Sequence, residues 1–181
     1  KRVSAALGNP NNLLLNSSFE ADEATSVIPS GWNAITTGGT VKTQSGGTEG
    51  GYSAKLTSVT RTGSFDNPSV GIYQSFTGLE QGTYTLTAKI RTNNPNPSSV
   101  SLQEAAFIEA KNTGAPAMRA FVNLFAANNT DWVYVYLRNV IVYNGEATIG
   151  IYLKDAVAGM TLEVDDVQFY MEHSDLNPIQ N

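Results

Sequence analysis

The chain has 181 residues, 41% of them hydrophobic, which is enough to bury a core as one domain. It has no cysteine and one histidine, His173, so disulfide frameworks, thiol nucleophiles and thiolate metal sites are excluded, and multi-histidine zinc centres and histidine-based triads are argued against. Charged residues are only 15% and the net charge is −5, so there is no basic footprint for nucleic acid, no polybasic segment for an anionic membrane, and no apolar run near the roughly 20 residues that span a bilayer.

Short apolar–polar alternations broken by Gly, Asn and Pro run the length of the chain, the pattern of an all-β sandwich or barrel. Residues 1–11 read as a tail or linker, and Lys1–Pro10 is too short and polar for a complete signal peptide. The first expected strand is Asn12–Asn16, followed by Ser18-Phe19-Glu20. Pro29–Asn33 turns into a strand, Thr40–Thr43 is short, and the flexible Gly46–Gly51 loop leads into Tyr52–Val59. Val70–Phe76 follows a polar loop. Thr83–Arg91 is the clearest strand: Tyr84, Leu86, Ala88 and Ile90 share one face, and Thr85, Thr87, Lys89 and Arg91 the other. Asn93–Pro97 stops it.

Val100–Ala110 fits helix or strand by composition, and its surroundings favour strand. Ala117–Phe125 is a further strand, and Asn128–Asp131 a turn. Trp132–Val142 alternates Val133, Val135 and Leu137 against Trp132, Tyr134, Tyr136 and Arg138. Asn144-Gly145 turns the chain into Glu146–Lys154, and Thr161–Met171 is last. Residues 172–181 read as a second tail. About ten strands and no clear helical pattern predict an all-β, two-sheet antiparallel sandwich of jelly-roll topology over 12–171.

Three stretches carry a resemblance. Asn12–Glu20 with Gly31-Trp32 forms the first. Ile72–Phe76 followed by Gly82–Ala88 forms the second. Trp132, Ala147–Ile151 and Val164–Phe169 form the third. Together they resemble the carbohydrate-binding modules of families four, nine, sixteen and twenty-two. The resemblance implies a secreted or cell-surface jelly-roll that binds a polysaccharide or oligosaccharide beside a glycoside-degrading enzyme. It also implies a structural calcium held by Glu20, by Asp165 or Asp166, and by carbonyls of the Gly46–Gly51 loop. Hard oxygens on a glycine-rich turn suit that ion; the alternative is that the two aspartates solvate a strand edge.

Sugars offer apolar C–H faces to aromatic rings and hydroxyls to polar groups. The aromatics on solvent-facing parity are therefore the ligand candidates: Tyr73, Tyr134, Tyr136 and Tyr152, with Trp32 at an expected sheet rim. Lys89, Arg91 and Arg119 are the candidate donors to hydroxyls or uronates. Phe19, Phe76, Tyr84 and Phe169 are expected in the core. Asn16-Ser17-Ser18 and Asn128-Asn129-Thr130 fit the glycosylation sequon.

Two rivals stand beside the binding module. A structural or adhesion sandwich would bury or scatter those aromatics. A jelly-roll glycoside hydrolase of the laminarinase type would use Glu-x-Asp-x-x-Glu, but here Glu163-Val164-Asp165-Asp166-Val167-Gln168 ends in a residue that cannot shuttle a proton.

Overall fold

The computed structural model describes residues 9–93, 104–122 and 131–172. Within them lie ten strands and no helix: β1 (Asn33–Ile35), β2 (Gly39–Ser45), β3 (Tyr52–Ser58), β4 (Val70–Phe76), β5 (Gly82–Asn93), β6 (Ala106–Lys111), β7 (Met118–Phe121), β8 (Val133–Val142), β9 (Ala147–Leu153) and β10 (Thr161–Met171). The terminal residues 1–8 and 173–181, with His173, lie outside the described residues. So do most of the Asn93–Pro97 stop, the first part of Val100–Ala110, the end of Ala117–Phe125 and the sequon at Asn128.

The strands form two five-stranded antiparallel sheets. Sheet A has the order β1-β4-β9-β6-β7, and sheet B the order β2-β3-β10-β5-β8. Their inner faces follow from period-2 alternation. Ile72, Ile149, Ile151 and Ile108 of sheet A meet Leu56, Leu86, Ile90 and Leu162 of sheet B, all fully buried. Each such side chain contributes roughly 1.5–3 kcal/mol on burial. Phe169 is stacked on Tyr84 (5.2 Å between centroids) and lies 5.5 Å from Phe76, which closes one end of the core.

Two bulges break the alternation. In β10 the register slips between Asp165 and Gln168, with Asp166 at φ 46°. In β8 the slip lies opposite Tyr84–Leu86, with Asn139 at φ 59°. Asn and Asp tolerate the left-handed region, and the extra residue keeps Asp165 outward while Val167 still points inward.

The expected first strand is not one. Leu13–Glu20 instead runs beside β10 in an irregular path. Two backbone bonds tie it there, the Leu13 amide donating to the Phe169 carbonyl (2.8 Å) and the Val167 amide to the Ser17 carbonyl (2.9 Å), and the Asn12 side chain adds two more, accepting from the Phe169 amide (3.0 Å) and donating to the Val167 carbonyl (3.0 Å). Gln74, buried in sheet A, clasps both the amide and the carbonyl of Leu15.

Candidate functional site

Register places the outward side chains of sheet A on a grid. One row reads Ile35, Gly71, Tyr152, Phe107 and Phe121; the next reads Asn33, Tyr73, Gly150, Glu109 and Arg119; the third reads Ser75, Thr148 and Lys111. Gly71 and Gly150 both touch Tyr152. A methyl group on Gly71 would collide with its ring, and one on Gly150 with its hydroxyl. The ring therefore lies flat along the sheet over two bare backbone positions, as glycine inside a strand often permits. Tyr152 was expected exposed. It is on the outward face, yet only 2% accessible. Burial, and then the neighbouring Glu109 and Tyr73, push its phenol far above the usual range, so it stays protonated and can donate.

Glu109 is fully buried on this same outward face. Arg119 Nε donates to its Oε2 at 2.7 Å, and Lys111 Nζ lies 3.6 Å from its Oε1. That Oε1 accepts no hydrogen bond among the described residues. Phe65 covers the end of the face: Phe107 meets it edge-on at 5.4 Å, and Arg119 and Lys154 each sit 4.3 Å from its ring centre.

Between this covered region and β1 lies an open depression of about 480 Å³. Tyr73 and Tyr152 form its floor; Asp66, Asn67, Lys111 and Asn112 supply charges and amides around it. Its size falls in the range of small-ligand clefts.

The eight expected ligand residues do not form one site. Tyr73, Tyr152 and Arg119 share the outward face of sheet A. Lys89, Arg91, Tyr134 and Tyr136 share the outward face of sheet B, on the far side of the sandwich. Trp32, expected at an exposed rim, is in the core at 6% exposure. Its ring stacks on Phe19 at 5.5 Å, and its indole N–H donates to the Asn16 carbonyl at 3.0 Å. Phe65, Asp66, Asn67, Glu109, Lys111 and Asn112 were missed. The pair of glycines inside strands was a readable signal of close packing on this face; Glu109 in an apolar strand was another.

The acidic candidates separate as well. Asp165 Oδ2 accepts from the Thr48 amide (2.7 Å) and hydroxyl (3.1 Å), and Glu20 Oε2 from the Tyr52 amide (2.9 Å), so both acids hold the Gly46–Gly51 loop. Asp166 turns away, to Lys89 at 3.3 Å. A methyl on Gly47 would lie 2.6 Å from Asp165 Oδ2 and 2.8 Å from the Gly50 carbonyl, and closer still to the Tyr52 carbonyl. Three oxygens thus converge beside Gly47, an all-oxygen donor set that suits a hard cation. Burial pushes the Asp165 carboxyl up to about 6, against the pull of its Thr48 and Asp166 amide bonds. Among the described residues no three acidic or histidine side chains cluster, so an ion here would depend on carbonyls. The hydrolase-like stretch is equally committed: Glu163 is held by Arg91 at 2.6 Å and by Gln44.

No protein-family model matches the chain, and no curated protein gives a significant sequence match. Solved structures match in fold. TmCBM61, solved with β-1,4-galactotriose, aligns at TM-score 0.63 and 18% identity, over 89% of this chain and 99% of its own. A family-four carbohydrate-binding module aligns at 0.60 and 15%, over 88% and 99%. The enzymatically active domain of bacteriophage CBA120 tailspike protein 4 aligns at 0.62 and 16% over 90% of this chain but 22% of its own. The chain has the jelly-roll sandwich fold of carbohydrate-binding modules.

Proposed function

We propose that this chain is a non-catalytic polysaccharide-binding module whose ligand lies in the depression on sheet A. The observation that carries the reading is the tyrosine floor ringed by amides and opposite charges. The half-buried Tyr73 ring offers a stacking surface, and the Tyr152 phenol a donor. Asn67, Asn112, Asp66 and Lys111 supply both donors and acceptors for hydroxyls. The galactotriose bound to TmCBM61 supports a glycan for this fold. An open, solvated cleft binds modestly, which suits a module that keeps a linked or neighbouring glycoside-degrading enzyme near its substrate outside the cell.

Glu20, Asp165 and the carbonyls beside Gly47 would hold a structural calcium; when bound it supplies charge balance for a buried carboxylate and pins the loop, with no part in chemistry.

Affinity electrophoresis against plant and algal polysaccharides tests the reading. Retardation by at least one glycan should weaken about tenfold or more in Tyr73→Ala. Retardation by none would favour the adhesion-type sandwich, and released reducing ends would favour an enzyme.

A further inference from the structure

Sheet B carries a second set of outward side chains that takes no part in the depression. Lys42 of β2 pairs in register with Lys55 of β3, Lys55 with Glu163 of β10, and Glu163 with Arg91 of β5. Three cations therefore share a row with one carboxylate, which Arg91 and Gln44 already engage. Lys42 is exposed and Lys55 half-buried, and neither has an ion-pair partner among the described residues. Like charges directly opposite one another on a sheet face are destabilising. Folding alone disfavours the Lys42–Lys55 pair, and an external anion would relieve it.

The row ends in aromatic rings. The Arg91 guanidinium sits 4.3 Å over Trp132. Tyr134 and Tyr136 are the next outward residues of β8, with ring centres 6.0 Å apart. They are 53% and 51% exposed. Arg138 lies 5.1 Å over Tyr136 and completes the strip. A cation-rich row on a chain of net charge −5 opposes its own overall field.

We propose that the outward face of sheet B is a second glycan surface, separate from the depression on sheet A, and that it takes an acidic polysaccharide. Carboxylate or sulfate groups would lie across Lys42 and Lys55, and sugar rings on Tyr134 and Tyr136. From β2 to β8 is four inter-strand steps, about 19 Å at about 4.8 Å each, so the ligand is a chain rather than a single sugar. The tyrosine pair separates this face from a plain anion patch, and the lysine pair separates it from a surface for neutral glycans.

The test is affinity electrophoresis with polygalacturonate, a carrageenan and a neutral galactan, at about 20 mM and about 200 mM salt. Retardation by the uronate or the sulfated polymer is expected, and the two arms tell which anion is preferred. It should weaken about tenfold or more in Lys42→Ala/Lys55→Ala, in Tyr134→Ala/Tyr136→Ala, and at the higher salt. Tyr73→Ala, on the other face, should leave it unchanged; circular dichroism checks that each variant folds. The proposal is overturned if neither acidic polymer is retarded at low salt, or if Tyr73→Ala abolishes the effect. It is equally overturned if the lysine pair matters but the tyrosine pair does not, or if polyphosphate is bound as tightly. Because the control residue belongs to sheet A, failure here leaves the sheet A reading intact, and the reverse.

Discussion

The two outward faces of the sandwich obey the same alternation and end up in different environments. On sheet A, Tyr152, Phe107 and Glu109 occupy solvent-facing positions and are buried; on sheet B, Tyr134 and Tyr136 occupy solvent-facing positions and are half exposed. Strand position explains part of this. β9 is central, so its rings have neighbours on both sides, whereas β8 pairs only with β5. Neighbour size explains the rest. Gly71 and Gly150 let the Tyr152 ring lie down, and Phe65 folds over the end. Tyr136 sits opposite Thr87 and Tyr134 opposite Lys89, so neither ring has a bare backbone to lie on. Alternation assigns a side chain to a face; glycines and loops decide whether that face is covered.

Removing Glu109 should break this comparison most sharply. Glu109→Ala leaves Arg119 and Lys111, each about a quarter exposed, without their carboxylate; both cations can turn to water, so the loss should be about 1.5–3 kcal/mol, as for a hydrogen bond to a charged group. Lys89→Ala removes the Lys89–Asp166 pair of sheet B, both members about one-third exposed, and should cost under about 1 kcal/mol. Urea unfolding of both variants measures the contrast. Equal costs would mean that the two faces are electrostatically alike.

Chelation comes next. If calcium holds the loop at the Asp165 end of sheet B, EDTA should remove about 2.7 kcal/mol from a protein kept in free calcium at about a hundredfold excess over the Kd. For a domain of this size that is a fall in Tm of about 5–10 °C. Asp165→Asn should abolish the response and Asp166→Asn should keep it, since Asp166 faces Lys89. Superimposable melting curves with and without EDTA would sink the metal.

Much of the fold is legible in the sequence. Thr83–Arg91 and Glu146–Lys154 were placed within two residues, because both alternate cleanly between turn residues. Asn12–Asn16 misled because three leucines resemble a strand, while one backbone bond, from Leu13 to Phe169, joins the stretch to β10 and its other bonds to β10 and β4 come from the side chains of Asn12 and Gln74. Trp32 misled because a Gly-Trp turn resembles a rim; its partner Phe19 is thirteen positions away, and contact at that separation leaves no periodic trace. The site was half legible. Parity picked out Tyr73, Tyr134, Tyr136 and Tyr152 as outward, and all four are. What parity lacks is the sheet to which each strand belongs, so residues from opposite faces were read as one group. Glu109 stayed hidden because its partner Arg119 reaches it only through the β6–β7 register.

The glycines of sheet A offer a smaller and finer test. Gly71→Ala puts a methyl into the Tyr152 ring, a case of overpacking that should cost about 1–3 kcal/mol. Tyr152 lines the depression, so a displaced ring changes its shape. Stability and glycan retardation should therefore fall together, the first by calorimetry and the second on the same gel as Tyr73→Ala. Loss of stability with binding untouched would separate the Tyr152 platform from the ligand site.

Tyr136→Ala should have the smallest effect on folding. The ring is half exposed, and its contacts are an Arg138 guanidinium at 5.1 Å and the Tyr134 ring at 6.0 Å. An exposed cation–π contact is worth about 0.5–1 kcal/mol, and truncation also frees both side chains from a shared geometry. The net change should fall within about 0.5 kcal/mol, as for surface positions generally. A face kept open for a ligand has this signature: its aromatic residues can be deleted at little cost to stability and at large cost to binding. A loss above about 2 kcal/mol in chemical denaturation would place Tyr136 in a packed layer. Sheet B would then be a covered face of the same kind as sheet A, and the contrast between the two would be one of degree.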